Sequence, residues 1–594
     1  MPVDDYGDRF SLAEDELGGN AQRFSARIRS ITIQEGDPIQ LPTPGLTLIV
    51  GGNNAGKSTL LRQMHARLTA GWSKQLRTDP ALLRDQDLVV SGSLADAYAW
   101  LAANSHASKD GFQRNSVNVA PAGLNLVWSQ SLRSGQLEAL GQAITLAPNA
   151  RSRFGAVLPA ERRPDVALPP ATALHYLEDD PDLMSELDEY TREIFGTGLT
   201  LDPLSGKLMI RFGKVDIDAP PVDAVTLAYK EAITRLTTLE HQGDGIGSAL
   251  GLLIPLVAGR NPIAFIDEPE AFLHPPQAFK LGRTVAAIAR RHGSQIVVAT
   301  HDRNFVAGAL SATDVQLAVV RLDRAGESTR GHVVEPMRLR DVWSSAILRH
   351  SNVLDGLFHR AVVVAENERD CVFYSAALEA VEDLPAGFLP SDVLFVAAHG
   401  KAGIPEVARI LSAAHVPVVA VADLDVVREV DGLRKIVEAV GGQWSEEIEN
   451  SIRPATAEFR VARKTLTRGQ ILAAIETVLR DDSGAPYDSK SRKDVASALA
   501  VESPWVALKK HGMSAFRSDR PAADRLVSAL STEGVVVVEA GELESFAPSL
   551  GVAKGRSWLP SALDAGAHRA PLAQSFVQGL VAAILNRESR LQVR

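Results

Sequence analysis

A single cysteine, Cys371, among 594 residues leaves no internal disulfide and no thiolate zinc site. No apolar run approaches the roughly 20 residues that a membrane-spanning helix needs. The amino terminus, MPVDDYGDRFSLAEDELGGN, is acidic and polar and lacks the basic and apolar regions of a secretory signal. Cytoplasmic placement without a membrane is the expectation. Basic excess is missing too, since the formal net charge is −10. That argues against a uniformly basic nucleic-acid binder, although a global sum leaves a local basic groove open. Repeats and low-complexity tracts are absent, which excludes a solenoid or an array.

What is present is ordinary globular material, 45% hydrophobic and 23% charged, in a chain longer than the roughly 250–300 residues at which one core stops growing. At least two domains are expected, with the boundary placed at 345/346. The stretch IVGGNNAGKSTLLRQM (49–64) runs from an apolar strand into a glycine turn. Gly51, Gly56, Lys57 and Ser58 satisfy the spacing of a phosphate-binding loop, with Asn53, Asn54 and Thr59 completing it. Backbone N–H groups at the helix start would face the phosphates of ATP, Lys57 would neutralise them, and the Ser58 hydroxyl would reach Mg2+. Downstream, the strand IAFID ends in Asp267 and Glu268. An aspartate there suits Mg2+, and the adjacent glutamate is placed to polarise an attacking water. His301 follows a second apolar run, IVVAT.

This order resembles the ABC-type ATPases, in which a histidine contacts the γ-phosphate. HQGDGIGS (241–248), with Gly243, Gly245 and Ser248, resembles their signature loop, and PEAFLHPPQ (269–277) resembles their D-loop. The resemblance implies that Ser248 meets the nucleotide of a second copy, hence a homodimer or a higher even oligomer. Residues 70–240 would be insertions within this P-loop domain.

From 361 onward the pattern repeats. AVVVAENERD, DVLFVAAHG, VPVVAVADLDVV and GVVVVEAGELE are apolar, β-branched runs with polar residues at their carboxyl ends, which predicts a second parallel α/β sheet, core 361–430 and 534–560, with a helical insertion over 431–530. Glu366 and Asp370 would share one side if a helix begins there. Asp423 and Asp425 would point the same way on an extended segment. Four carboxylates at one sheet edge are unstable without divalent cations, so Mg2+ or Mn2+ is the expected occupant. Solvated strand ends are the alternative for either pair alone.

Glutamate followed by Asp-x-Asp resembles the TOPRIM fold of topoisomerases, primases and related nucleases, with Asn367 where those proteins carry glycine. Asparagine tolerates the left-handed backbone such a turn would need. An ABC-type ATPase followed by TOPRIM is similar to the overcoming-lysogenization-defect (OLD) family, which includes the endonuclease subunit of the Gabija phage-defence system. That resemblance implies metal-dependent DNA cleavage under nucleotide control, with a separate defence-system partner protein possible. It also implies a further acidic metal ligand, assigned to Glu544, and a lysine, assigned to Lys554, which as a residue reads equally as a surface lysine. Lys509, Lys510, Arg517 and Arg520, with Trp505 and Phe516 nearby, read either as a DNA-binding patch or as a solvated helix face. Two other functions stay open: a nucleotide-gated sensor or scaffold whose second domain does not cut, and a DNA-repair ATPase, for which the expected long heptads are missing.

Overall fold

The computed structural model describes residues 10–593 other than 11, 14–15, 35, 70–80, 109, 115–116, 132–135, 150, 166–169, 327, 345–351, 461–465, 481–485, 500–502 and 553. The chain divides into two compact units, Met1–His350 and Ser351–Arg594.

In the first unit a six-stranded sheet runs in the order Ser328–Val334, Leu317–Ala325, Gly45–Gly51, Gln295–Ala299, Ile263–Asp267, Thr145–Leu146. All neighbours pair in parallel except the first two, which are antiparallel. Every residue of Gly45–Gly51 and Gln295–Ala299 is buried, the signature of strands covered on both faces. The phosphate-loop strand is therefore central, flanked by the strand that leads to His301 and with the acidic strand one place further. A three-stranded antiparallel sheet, Ile39–Gln40, Ser25–Ile33 and Leu83–Ser91, lies against it. Gln295 stitches the two sheets: its fully buried amide accepts from the Ile28 N–H at 2.9 Å and donates to the Ile28 carbonyl at 2.7 Å. The expected insertion region holds short helices and small antiparallel sheets.

In the second unit the four strands read from the sequence form one parallel sheet, in the order Val393–Ala397, Ala361–Ala365, Val418–Asp423, Val535–Val538. Between the last two lie helices, among them Val430–Ala439, Glu446–Thr456, Arg468–Leu479 and Arg520–Thr532. Among the described residues of the expected 534–560 core, only Val535–Val538 is strand; beyond it lie two short 3-10 helices, Leu543–Phe546 and Pro548–Leu550, and the start of the helix Trp558–Asp564. Aromatics fill one face: Phe373 stands 5.4 Å from Phe546 and 5.9 Å from Trp558, ring centre to ring centre. Because the central strands are parallel, the carboxyl ends of Ala361–Ala365 and Val418–Asp423 fall on the same edge. Open α/β sheets place ligand chemistry there.

Candidate functional sites

In the first unit the cradle forms as its glycines require. Gly51 and Gly56 have positive φ (145° and 94°), and a Cβ at either would strike Leu322 or Leu82. Asn54 also sits at positive φ, 62°, and with Asn53 is exposed. The Lys57 ammonium donates to the carbonyls of Gly51 (2.9 Å) and Gly52 (3.0 Å). Burial lowers its pKa, opposed by attraction to Glu268, Asp267 and Glu270. Ser58 Oγ donates to Asp267 Oδ1 at 3.1 Å, which joins the two candidate Mg2+ ligands across 209 residues of sequence. Thr59 turns aside to accept from Arg62 Nη2 at 3.1 Å. Burial, then repulsion from Glu268, raises Asp267 against the pull of Ser58, Arg153 and Lys57. A carboxylate beside a hydroxyl suits Mg2+, and the adjacent lysine suits the phosphates that ion accompanies.

Glu268 occupies a left-handed conformation, φ 47°. Its carboxylate lies 3.4 Å from His301 Nδ1, and Glu270 Oε1 lies 3.6 Å from the same nitrogen. Glu270 was missed in the sequence, although it stands three residues beyond Asp267. It is buried, accepts from Thr300 Oγ1 (2.8 Å) and the His301 N–H (3.1 Å), and its pKa is raised by burial. Arg153 was missed as well, because it lies in a segment without any motif.

Ser248 departs from expectation. The helix Asp244–Gly259 starts at Asp244 with Gly243 as its cap, so Ser248 lies a full turn inside, fully buried and with its hydroxyl unpartnered. It is turned into its own fold; His241, Gly243 and Asp244 are the exposed residues of this loop.

In the second unit a pocket of about 330 Å3 is lined by Glu366, Asp370, Asp423, Glu542, Glu544 and Lys554, with Lys509 at its side. Glu366 accepts from the Asp423 N–H at 3.1 Å. Lys509 binds both aspartates, 3.2 Å from Asp423 and 3.4 Å from Asp425. Lys401 pairs with Asp425 and lies 3.9 Å from Glu366. Lys554 pairs with Glu542.

Several geometric expectations need correction here. The strand ends at Asp423, and Leu424–Arg428 is a 3-10 helix, so Asp425 is not on an extended segment and does not line the pocket. The helix begins at Glu368, leaving Glu366 outside it, and Asp370 serves as a capping residue that accepts from the Asn367 N–H at 2.9 Å. Asn367 has φ −138°, ordinary extended backbone, so it replaces glycine as a helix cap rather than as a left-handed turn. The expected stacking surface also differs. Phe516 is buried, edge-on to Phe459 at 5.2 Å, and Arg520 pairs with Asp524.

The donors in this pocket are hard oxygens that are buried and repel one another. Burial and then Asp423 raise Glu366; burial, with Asp423 and Glu544 repelling, pushes Asp370 up to about 6. That chemistry suits a divalent cation. Among the described residues, however, no three His, Cys, Asp or Glu side chains are gathered as a metal-holding group. Positive charge comes instead from Arg369, Lys509 and Lys554 in the lining and from Lys401, which pairs with Asp425.

A stability prediction follows. Because the folded pKa of Asp370 exceeds the ordinary 3.8, the folded state binds the proton more tightly than the unfolded state does. Its ionisation therefore costs stability as pH rises from about 4 to 6, and the full penalty applies above that. Asp370→Asn keeps an oxygen for the Asn367 cap. In chelator it should stabilise the protein at pH 7.5 by about 1–3 kcal/mol, with the gain shrinking as pH falls toward 4. Thermal unfolding across that range measures it.

Residues 210–307 match the family model described as "AAA domain, putative AbiEii toxin, Type IV TA system". No curated protein matches. Among solved structures, the chain is similar to the Smc head domain with an extended coiled coil from Pyrococcus furiosus (11% identity, 53% of this chain and 98% of that one, TM-score 0.33). It is also similar to the SMC head domain from Thermotoga maritima (13%, 53% and 99%, 0.27) and to cbiO1 of Clostridium perfringens, part of an ABC transporter complex (13%, 50% and 84%, 0.24). These are distant likenesses. The family match and the cradle geometry together define an AAA-type P-loop ATPase domain in an α/β protein. None of its described helices is long and apolar enough to cross a membrane.

Proposed function

We propose that the protein is an ATP-hydrolysing, divalent-metal-dependent DNA endonuclease of the OLD type, acting in defence against phage. The observation that supports the nuclease half is a pocket at the carboxyl edge of a parallel sheet whose lining includes Glu366, Asp370, Asp423 and Glu544, with Lys554 beside them, although in the structure these carboxylates are not drawn together around a cation position. In the first unit Lys57 and the loop amides bind the triphosphate, Ser58 and Asp267 hold Mg2+, and Glu268, with His301 against it, takes the proton of the attacking water. In the second unit Glu366, Asp370, Asp423 and Glu544 are the residues that would hold Mg2+ or Mn2+. Such an ion supplies an activated water and screens charge on the scissile phosphate. Lys554 offers a cation to that phosphate. The expected homodimer rests on the exposed loop at Gly243 and Asp244 and on Phe272, 62% exposed beside it.

Incubating purified protein with supercoiled plasmid and Mg2+ or Mn2+, with and without ATP, tests the proposal through nicked and linear products. For the ATPase half, Glu268→Gln should retain ATP binding while turnover falls at least about 100-fold. Nucleotide binding and phosphate release measured side by side check this. One observation favours a second reading. Lys401 and Lys509 already neutralise Asp423 and Asp425, as they would in a nucleotide-gated sensor that holds DNA or a partner without cutting. Absence of cutting in every lane, with ATP turnover intact, selects it.

A further inference from the structure

Arg153 opens the short helix Arg153–Ala156 in the insertion region, yet its side chain is fully buried under the ATP site. Its guanidinium donates to the backbone carbonyls of Asp267 and, at 2.9 Å, Glu268. It touches no carboxylate oxygen in doing so; it grips the peptide that carries the two acidic residues. The Arg153 carbonyl meets the signature helix where Gly251 has no Cβ, and a side chain there would collide with it. The next residue extends the same bridge. The Phe154 ring lies 3.3 Å from where a Cβ on Gly247 would stand, and it packs edge-on against Phe272 at 6.1 Å. The Phe272 carbonyl closes the circuit, 2.6 Å from a Cβ position on Gly245.

Two residues joined by this bridge hold backbone that is costly for side-chain-bearing residues: Glu268 at φ 47° and Phe272 at φ 70°. Left-handed backbone costs roughly 1–2 kcal/mol at such residues and persists only where the surroundings fix it. Burying a guanidinium is costly too, and its Nε has no partner among the described residues. An arrangement that only filled space would use an apolar side chain.

We propose that Arg153 and Phe154 are positioning residues that lock the Asp267–Phe272 turn to the signature helix, so that movement of that helix sets where the Glu268 carboxylate points. Arg153 holds the acidic end of the turn and Phe154 the far end. A second copy, or any ligand that displaces Gly243–Gly247, thereby reaches the hydrolytic residue through two side chains of the insertion. This rests on the reading of Glu268 as the hydrolytic base.

Arg153→Lys retains the charge but loses the fork that spans two carbonyls. In the full-length protein it should lower kcat for ATP about 10- to 100-fold while KM and the ATP dissociation constant stay within about twofold. Phe154→Leu, which leaves the guanidinium in place, should lower kcat in the same direction by less. Hydrogen exchange gives a readout independent of turnover: the amides of residues 268–273 should exchange faster in both variants. Unchanged exchange there overturns the proposal, as does a KM that rises in step with a fall in kcat. If the wild type hydrolyses no ATP, the assignment of Glu268 fails, and the exchange rates alone then decide whether Arg153 and Phe154 hold the turn.

Discussion

Lys57→Ala should abolish ATP turnover, with a loss of at least about 100- to 1,000-fold, or about 3–4 kcal/mol of transition-state stabilisation. Three acidic side chains, Glu268, Asp267 and Glu270, pull the Lys57 pKa upward against burial. In the structure its ammonium is held by the carbonyls of Gly51 and Gly52, two neutral acceptors that an incoming phosphate outcompetes by charge. Removing it leaves a cleft dominated by carboxylates, which repels the triphosphate rather than cradling it. Binding should therefore fail together with chemistry, in contrast to Glu268→Gln. Thermal unfolding gives the cleanest readout. A ligand at 100 times its dissociation constant stabilises a folded protein by about 2.7 kcal/mol, so Mg-ATP should raise the unfolding temperature of the wild type and leave Lys57→Ala unmoved. An ATP-induced rise that persists in the variant would place the nucleotide elsewhere.

The strands Gly45–Gly51, Ile263–Asp267, Gln295–Ala299 and the four of the second unit were legible because they are short apolar runs, such as AVVVA and VVVV, that end in polar residues, whereas Leu317–Ala325 and Ser328–Val334 lie in the stretch read as a bridge between domains. Spacing alone singled out the phosphate loop and Asp267, which the structure brings together through the Ser58 hydroxyl. The errors share one cause: local backbone geometry was extrapolated past the end of an element. Asp423-x-Asp425 was read as extended, but the strand stops at Asp423. Glu366 and Asp370 were read as one helical turn, but the helix starts between them. Ser248 was counted as loop, although the helix already begins at Asp244. Residues acting through long-range contacts were invisible for a different reason. Arg153 reaches Glu268 across 115 positions, and nothing local distinguishes it from other arginines of the insertion. Lys401 carried a readable signal, since it follows the carboxyl end of Val393–Ala397, the edge where the carboxylates gather. Lys509 was read as part of a DNA-facing patch, whereas its ammonium is bound to Asp423 and Asp425.

The lysines make the second large prediction sharper than a simple loss of activity. Under the proposed nuclease reading, Asp423→Ala combined with Asp425→Ala should reduce metal-dependent cutting of supercoiled plasmid about 1,000-fold or more, equivalent to about 4 kcal/mol. The same double substitution strips Lys509 of both its carboxylate partners and Lys401 of its closest one. Two ammonium groups released beside this pocket should strengthen DNA binding under that reading, and more so at low salt. The expected signature is thus opposite in sign for the two assays: cutting lost, DNA retention on a gel held or increased. ATP turnover should stay within about twofold of wild type, because no substituted residue belongs to the first unit's site. Loss of cutting and of DNA binding together would instead mean that the aspartates support the fold of the pocket. Cutting that survives the double substitution would remove these carboxylates from the reaction, and no binding of DNA by either protein would favour a partner protein as what the second unit holds.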